Sequence, residues 1–122
     1  MAGLVTAECQ TALDTLFPTT GATDYIQYSE NGSTESANLT GTAIGATGWA
    51  AATAADPSVK ANNSVLTSAD ATGTGTITHF RIATAASGGT GRTDWTALDT
   101  SRALTSGDSV EWAIGACEIT LT

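Results

Sequence analysis

Large apolar residues are sparse in this chain, and their spacing changes from helical to strand-like early on. Leu4, Cys9, Ala12, Leu13, Leu16 and Phe17 recur mostly at three- and four-residue intervals, which places them on one stripe of a helix over residues 4–17. Gly3 or Thr6 is positioned to cap it, Glu8 suits the positive end of its dipole, and Pro18 stops it. Asp24–Ser29 then reads as a strand, followed by a turn at Glu30-Asn31-Gly32-Ser33, where Asn-Gly supplies positive φ. Ala37–Thr42 is the expected returning strand. Trp49–Thr53 admits strand or helix: its alanines argue helix, but it is too short to hold one alone, and strand is the favoured reading. Asp56-Pro57 turns the chain, Ser64–Thr67 is a short strand, and Asp70–Gly75 is a loop.

The clearest strand is Thr76–Ala83, with Phe80 and Ile82 on one face and His79 and Arg81 on the other. Ser87-Gly88-Gly89-Thr90-Gly91 is a turn, Trp95–Leu98 and Arg102–Leu104 are short strands, and Ser106-Gly107-Asp108 is a second turn. The last strand runs from Val110 to Leu121. Val110, Trp112 and Ile114 share one parity, and Cys117, Ile119 and Leu121 the other. A bulge at Gly115-Ala116 would bring both trios to one core. Short strands with turns every eight to twelve residues or so predict a mainly β chain, a jelly-roll-like antiparallel β-sandwich with a short N-terminal helix. The length is that of a single domain over 1–122, with a helical segment at 1–17 and the sandwich at 22–122.

Composition sharpens this. Ala, Thr, Gly and Ser make up more than half of the 122 residues, and Leu, Ile, Val and Phe total only 20. That apolar count is low enough to raise disorder, and the low charged fraction, 13%, and the clustering of the large residues at strand periodicity argue against it. Thr fits a pleated, half-solvated surface, so the composition favours strands. A core this lean suggests stabilisation by neighbouring subunits.

Charge removes whole function classes. The net charge is −8, and the only basic side chains are Lys60, Arg81, Arg92 and Arg102. They cannot assemble the basic patch that displaces counterions from nucleic acid, nor one that draws a protein to an anionic membrane surface. The N-terminus lacks the basic and long apolar regions of a signal peptide, and no run reaches membrane-spanning length. Matches to the glycosylation pattern at Asn31, Asn38 and Asn62 are therefore read as incidental.

Candidate chemistry is thin. His79 is the only histidine, and no Gly-x-Ser-x-Gly elbow accompanies it, so a structural role is expected. Asp94, Asp99, Asp108, Glu111 and Glu118 offer carboxylate pairs on paper, but they lie mainly in turns, where acids solvate loops. Asp70, Asp94, Asp99 and Asp108 follow no sequential calcium motif, so no metal is assigned. Gly88-Gly89-Thr90-Gly91 lacks the lysine of a phosphate loop, so no cofactor is assigned either. Cys9 and Cys117 read as small buried hydrophobes, with a disulfide open only if their elements are neighbours. Trp49, Trp95 and Trp112 raise a sugar-stacking platform as an alternative to core packing.

Gly75-Thr76-Ile77-Thr78-His79-Phe80-Arg81-Ile82, then Ala85-Ala86-Ser87-Gly88-Gly89, then Leu98, Arg102, Leu104, Ser106-Gly107-Asp108, and finally Gly115 with Ile119-Thr120-Leu121 resemble a family of small tailed-bacteriophage structural proteins. These are labelled tail-fibre-like or decoration proteins, and they open with a short helix. The likeness covers roughly the last fifty residues well and the N-terminal helix loosely. It implies a non-enzymatic, oligomeric β-sandwich on a virion. The first reading is a capsid decoration, or cement, protein that binds the major capsid protein as a homotrimer, since closed symmetry suits threefold capsid sites. The alternative is a tail-tip or fibre-associated protein whose partners are tail proteins or a host glycan. The anchoring surface is expected in the N-terminal segment, residues 1–17, and in exposed Trp or Thr-rich loops, with Leu4, Leu13, Phe17, Trp49 and Trp95 as its contacts.

Overall fold

A computed structural model describes residues 4–121. One helix, α1 (Thr6–Leu16), precedes eight strands: β1 (Tyr25–Ser29), β2 (Thr42–Ala43), β3 (Ser58–Ala61), β4 (Leu66–Thr67), β5 (Gly75–Ala83), β6 (Thr96–Leu104), β7 (Glu111–Trp112) and β8 (Glu118–Leu121). The protein is thus mainly β, antiparallel in its ladders, with one short N-terminal helix. The chain divides into two compact units, each assembled from separated stretches. The first comprises the residues up to Ala22, Ile44–Val65 and those from Trp112 onward, and the second Thr23–Ala43 and Leu66–Glu111.

In the first unit α1 lies on β3, and β3 pairs with β8 from Ser58 opposite Leu121 to Ala61 opposite Glu118. The helix buries Cys9 and Leu13, with Phe17 just past its end packed edge-on to Trp49 at 5.6 Å between ring centroids. Its N-cap is neither Gly3, which lies outside the described residues, nor Thr6. It is Val5, whose carbonyl accepts from the Glu8 and Cys9 amides and whose side chain has no acceptor to offer. The Phe17 amide closes the other end on the Leu13 carbonyl, and Pro18 prevents continuation.

Trp49–Thr53, expected as a strand, runs beside β3 without becoming one. Ala50 and Thr53 donate to the Ala61 and Val59 carbonyls. Between them, the Ala52 amide donates to Asp14 Oδ1 at 2.9 Å, and its carbonyl accepts from Gln10 Nε2 at 3.0 Å. The helix side chains have taken the backbone groups that a ladder would need, and only Trp49 keeps a bridge, to Asn62.

The second unit is built on a four-stranded sheet in the order β2-β1-β5-β6. β1, one of its two inner strands, is buried along almost its whole length. Ile26 faces Ile82 and Tyr28 faces Phe80 on one side of the β1–β5 ladder, while Gln27 faces Arg81 and Ser29 faces His79 on the other. The expected division of β5 into two faces therefore holds. The expected returning strand at Ala37–Thr42 shrinks to β2, because the preceding backbone bonds elsewhere: Ser36 to Tyr28, Asn38 to Thr72, and Gly41 to Ala86.

β6 joins the two short strands expected at Trp95–Leu98 and Arg102–Leu104. Its register with β5 runs Gly75–Leu104 to Ile77–Arg102, then resumes at His79–Ala97 and Phe80–Thr96. Leu98–Ser101 thus stand opposite Thr78 alone, an extended bulge at the edge of the sheet.

The single last strand is corrected. β7 and β8 are separated by a turn in which Ala116 donates to the Ala113 carbonyl and Gly115 adopts φ +78°. β7 pairs with β4, and β8 with β3. Val110, Trp112 and Cys117 are buried, whereas Ile114 is 67% exposed, so the two trios do not face one core.

Candidate functional site

The motif-bearing half of the chain organises a loop. Thr84–Gly91 links β5 to the approach of β6, and its two consecutive positive-φ glycines, Gly88 and Gly89, let it fold back on itself. Gln27, buried on β1, donates from Nε2 to the Ala85 and Gly88 carbonyls at 2.9 and 2.8 Å. Its Oε1 accepts from Arg81 Nε at 2.8 Å, and the Arg81 guanidinium lies over Trp95 at 4.5 Å from the ring centroid. The Glu35 carboxylate accepts from the Gly88 amide at 2.9 Å, and Arg92 pairs with the buried Asp24 at 2.6 Å. Two cations of this unit are thereby committed to holding the loop and the start of β1.

His79 belongs to the same framework. Its Nδ1 shares a hydrogen bond with Thr78 Oγ1 at 2.8 Å, and its ring fills the space that a Cβ on Gly32 would need. This is a packing contact under the Asn31-Gly32 turn, which Asn31 Oδ1 closes by accepting from the Ser33 and Thr34 amides. The Ser106-Gly107-Asp108 turn is as expected, with Asp108 Oδ2 accepting from the Thr105 amide at 2.8 Å. Beside it lies an open groove of about 460 Å³ between Ser101–Leu104 and Asp108–Glu111, lined by Arg102, Asp108, Glu111 and two serines. Among the described residues no three His, Cys, Asp or Glu side chains are grouped to hold a metal ion.

The first unit contains a different construction, invisible to motif reading. Asn62 is buried after β3, and its Nδ2 donates to the Ser64 and Ala113 carbonyls at 2.8 and 2.9 Å while its Oδ1 accepts from the Cys117 amide at 2.9 Å. Its own carbonyl accepts from Gly115. Asn63 reaches the other way, donating from its amide to Gly48 and from Nδ2 to Thr47 at 2.6 Å. Two adjacent asparagines thus clasp three loops, 44–49, 62–65 and 113–117. Gly48 is required there, because a Cβ would run into the Ile44 carbonyl.

Lys60, also unforeseen, is fully buried on β3 and meets Asp14 Oδ1 of the helix at 2.7 Å. Burial resists ionisation of Asp14, but the Lys60 hydrogen bond, the Ala52 amide and the lysine charge outweigh it and hold the carboxyl below its ordinary value. Cys9 and Cys117 are buried free thiols. Desolvation, followed by the Glu118 charge, pushes Cys117 up to about 12.

Of the five residues expected at an interface, Leu13, Phe17 and Trp49 are buried inside the first unit, Leu4 is exposed, and Trp95 is half-buried beneath Arg81. The three tryptophans form no shared platform: Trp49 and Trp112 are buried, and Trp95 alone retains part of its surface. Exposed large aliphatics are instead Leu4, Val5 and Leu16 around the helix, and Val65 and Ile114 on the clasped loops. No described helix is long and apolar enough to cross a membrane.

No curated protein sequence matches the chain. Residues 4–120 match the model of a family described as podophage GP4 fiber I protein gp80. That match runs through the helix, both units and every described strand but the last residue of β8. The chain therefore belongs to this family of tailed-phage virion structural proteins, tail-fibre-like in kind.

Proposed function

We propose that the protein is a non-catalytic structural component of the phage tail-fibre apparatus, with other tail proteins as its virion partners. The observation that carries this reading is the fibre-family match over residues 4–120. It moves the preferred location from the capsid shell, the first expectation, to the fibre, and it favours tail proteins over the major capsid protein as partners. The interior supports a mechanical role. Gln27, Asn62 and the Lys60–Asp14 pair spend their polar groups on bracing loops and on joining helix to strand.

A role in binding a host surface glycan is the finer half of the same reading. It rests on Trp95, the tryptophan with remaining surface, whose ring already carries Arg81 on one side. Quantitative mass spectrometry of purified virions, with immunogold labelling, tests the location. The fibre reading expects a copy number far below that of the major capsid protein and label at the tail. Near-equal copies, with label over the shell, would restore the capsid-decoration reading. Loss of host-cell adsorption in Trp95→Ala virions that retain normal fibres is the expected mark of glycan binding, and unchanged adsorption removes it.

A further inference from the structure

We infer that the three clasped loops of the first unit are the face through which copies of this chain meet. The inference rests on the reading of the protein as an assembled fibre component, and it names the surface involved. Val65 and Ile114 stand on two of these loops and are 52% and 67% exposed. A soluble chain with so few large aliphatics has little reason to leave two of them in water at a single braced site. Asn62 holds both loops at once, through the Ser64 and Ala113 carbonyls, so their spacing is set before any partner arrives. Both side chains are β-branched and lose little rotamer freedom when covered. A docking surface that is already ordered forfeits less entropy on association.

Electrostatics selects the occupant. The chain carries −8, and three of its four cations are engaged internally: Lys60 with Asp14, Arg92 with Asp24, and Arg81 with Gln27 and Trp95. Two copies that approach through most surfaces would oppose carboxylate to carboxylate. Stretches 44–49, 61–65 and 112–117 contain no Asp, Glu, Lys, Arg or His, and their one titratable group, Cys117, is a buried thiol held neutral. The same face on a second copy can therefore be met without burying an unpaired charge. The remaining net charge acts only at longer range, where salt screens it within about 8 Å under physiological conditions. Self-association through this face should therefore strengthen as salt rises. A basic partner drawn by the acidic surface would show the opposite dependence.

Sedimentation velocity on the full chain tests this. The variants are Val65→Asp/Ile114→Asp, Val65→Ser/Ile114→Ser, and Thr100→Asp on the β6 bulge as a charge control; circular dichroism reports folding. The wild type is expected to self-associate, more strongly at about 500 mM than at about 50 mM salt. The serine pair should weaken association roughly tenfold or more, the aspartate pair further, and the control within about threefold. A wild type that stays monomeric at every salt concentration overturns the inference. So does association that falls with salt, that the folded serine pair leaves intact, or that the control loses equally. If the aspartate pair fails to fold, the serine pair decides. Virion labelling judges the fibre reading separately: a tail-located chain that sediments as a monomer sinks only this inference, and a self-associating chain absent from the tail sinks only that reading.

Discussion

A lysine ammonium with no solvent contact is stable only beside a counter-charge, and Asp14 supplies it to Lys60. The two partners are unequal. Asp14→Ala strands a buried cation and should cost about 3 kcal/mol or more, while Lys60→Met leaves a carboxylate that can reach water and should cost about 1 kcal/mol or less. Urea unfolding of both variants measures the difference. The pair also has a pH signature. Asp14 titrates below its ordinary 3.8, so between that value and the native one the unfolded chain binds the extra proton. The stabilisation is complete above about pH 5 and is lost as pH falls through the native value. The Tm gap between wild type and Asp14→Asn should therefore be flat near neutrality and narrow in acid. At the other end of the scale, Cys117, raised to about 12, should resist alkylation at neutral pH until urea unfolds the chain, which mass spectrometry can follow.

Among the elements, β6 shows how an edge strand is kept from pairing with neighbours. Nearly all its side chains are exposed, which would make a straight nine-residue edge a template for aggregation. The Leu98–Ser101 bulge breaks that edge in the middle. Replacing these four residues with a single Thr should regularise the register to β5 and raise light scattering in concentrated samples. Loop 84–91 illustrates the converse, a connection stiffened from within. Gln27→Ala removes two donors to its carbonyls and the acceptor for Arg81. It should cost about 3 kcal/mol and raise hydrogen exchange across the loop before it raises exchange in β1.

At the scale of the whole molecule, net charge governs behaviour. With −8 at neutrality and an isoelectric point near 4.1, repulsion between copies disappears as pH falls toward that point, above the range in which Asp14, held below its ordinary 3.8, gives up its charge. Dynamic light scattering should report a steep rise in particle size as pH approaches 4, reversible only while the fold survives. A titration that shows constant size through this range would mean that surface charge does not limit association. The two units also differ in surface character, since all the exposed large aliphatics among the described residues lie in the first. The acidic side chains are mostly in the second.

Local signals decided what the sequence alone could determine. Helical spacing with Pro18 behind it located α1, the Phe80/Ile82 and His79/Arg81 alternation located β5, and Asn31-Gly32 and Ser106-Gly107-Asp108 marked turns whose bonds close within a few residues. The ordered run of motifs in the C-terminal half resembles a family of tailed-phage structural proteins, and the family match bears that resemblance out. Tertiary structure decided whatever depended on distant partners. Trp49–Thr53 reads as a strand only because it is too short for a helix, and helix side chains claimed the Ala52 backbone groups. Val110–Leu121 reads as one strand with a bulge at Gly115-Ala116, but Asn62 drew Gly115 and Cys117 into a turn and split it. No local signal marks Lys60 as buried, because its partner Asp14 lies 46 residues away. Ile114 reads as core until the loop that carries it is seen to face water. Periodicity reports the backbone geometry a segment can adopt; which groups then compete for its hydrogen bonds, and which side chains are left exposed, is settled only when distant segments meet.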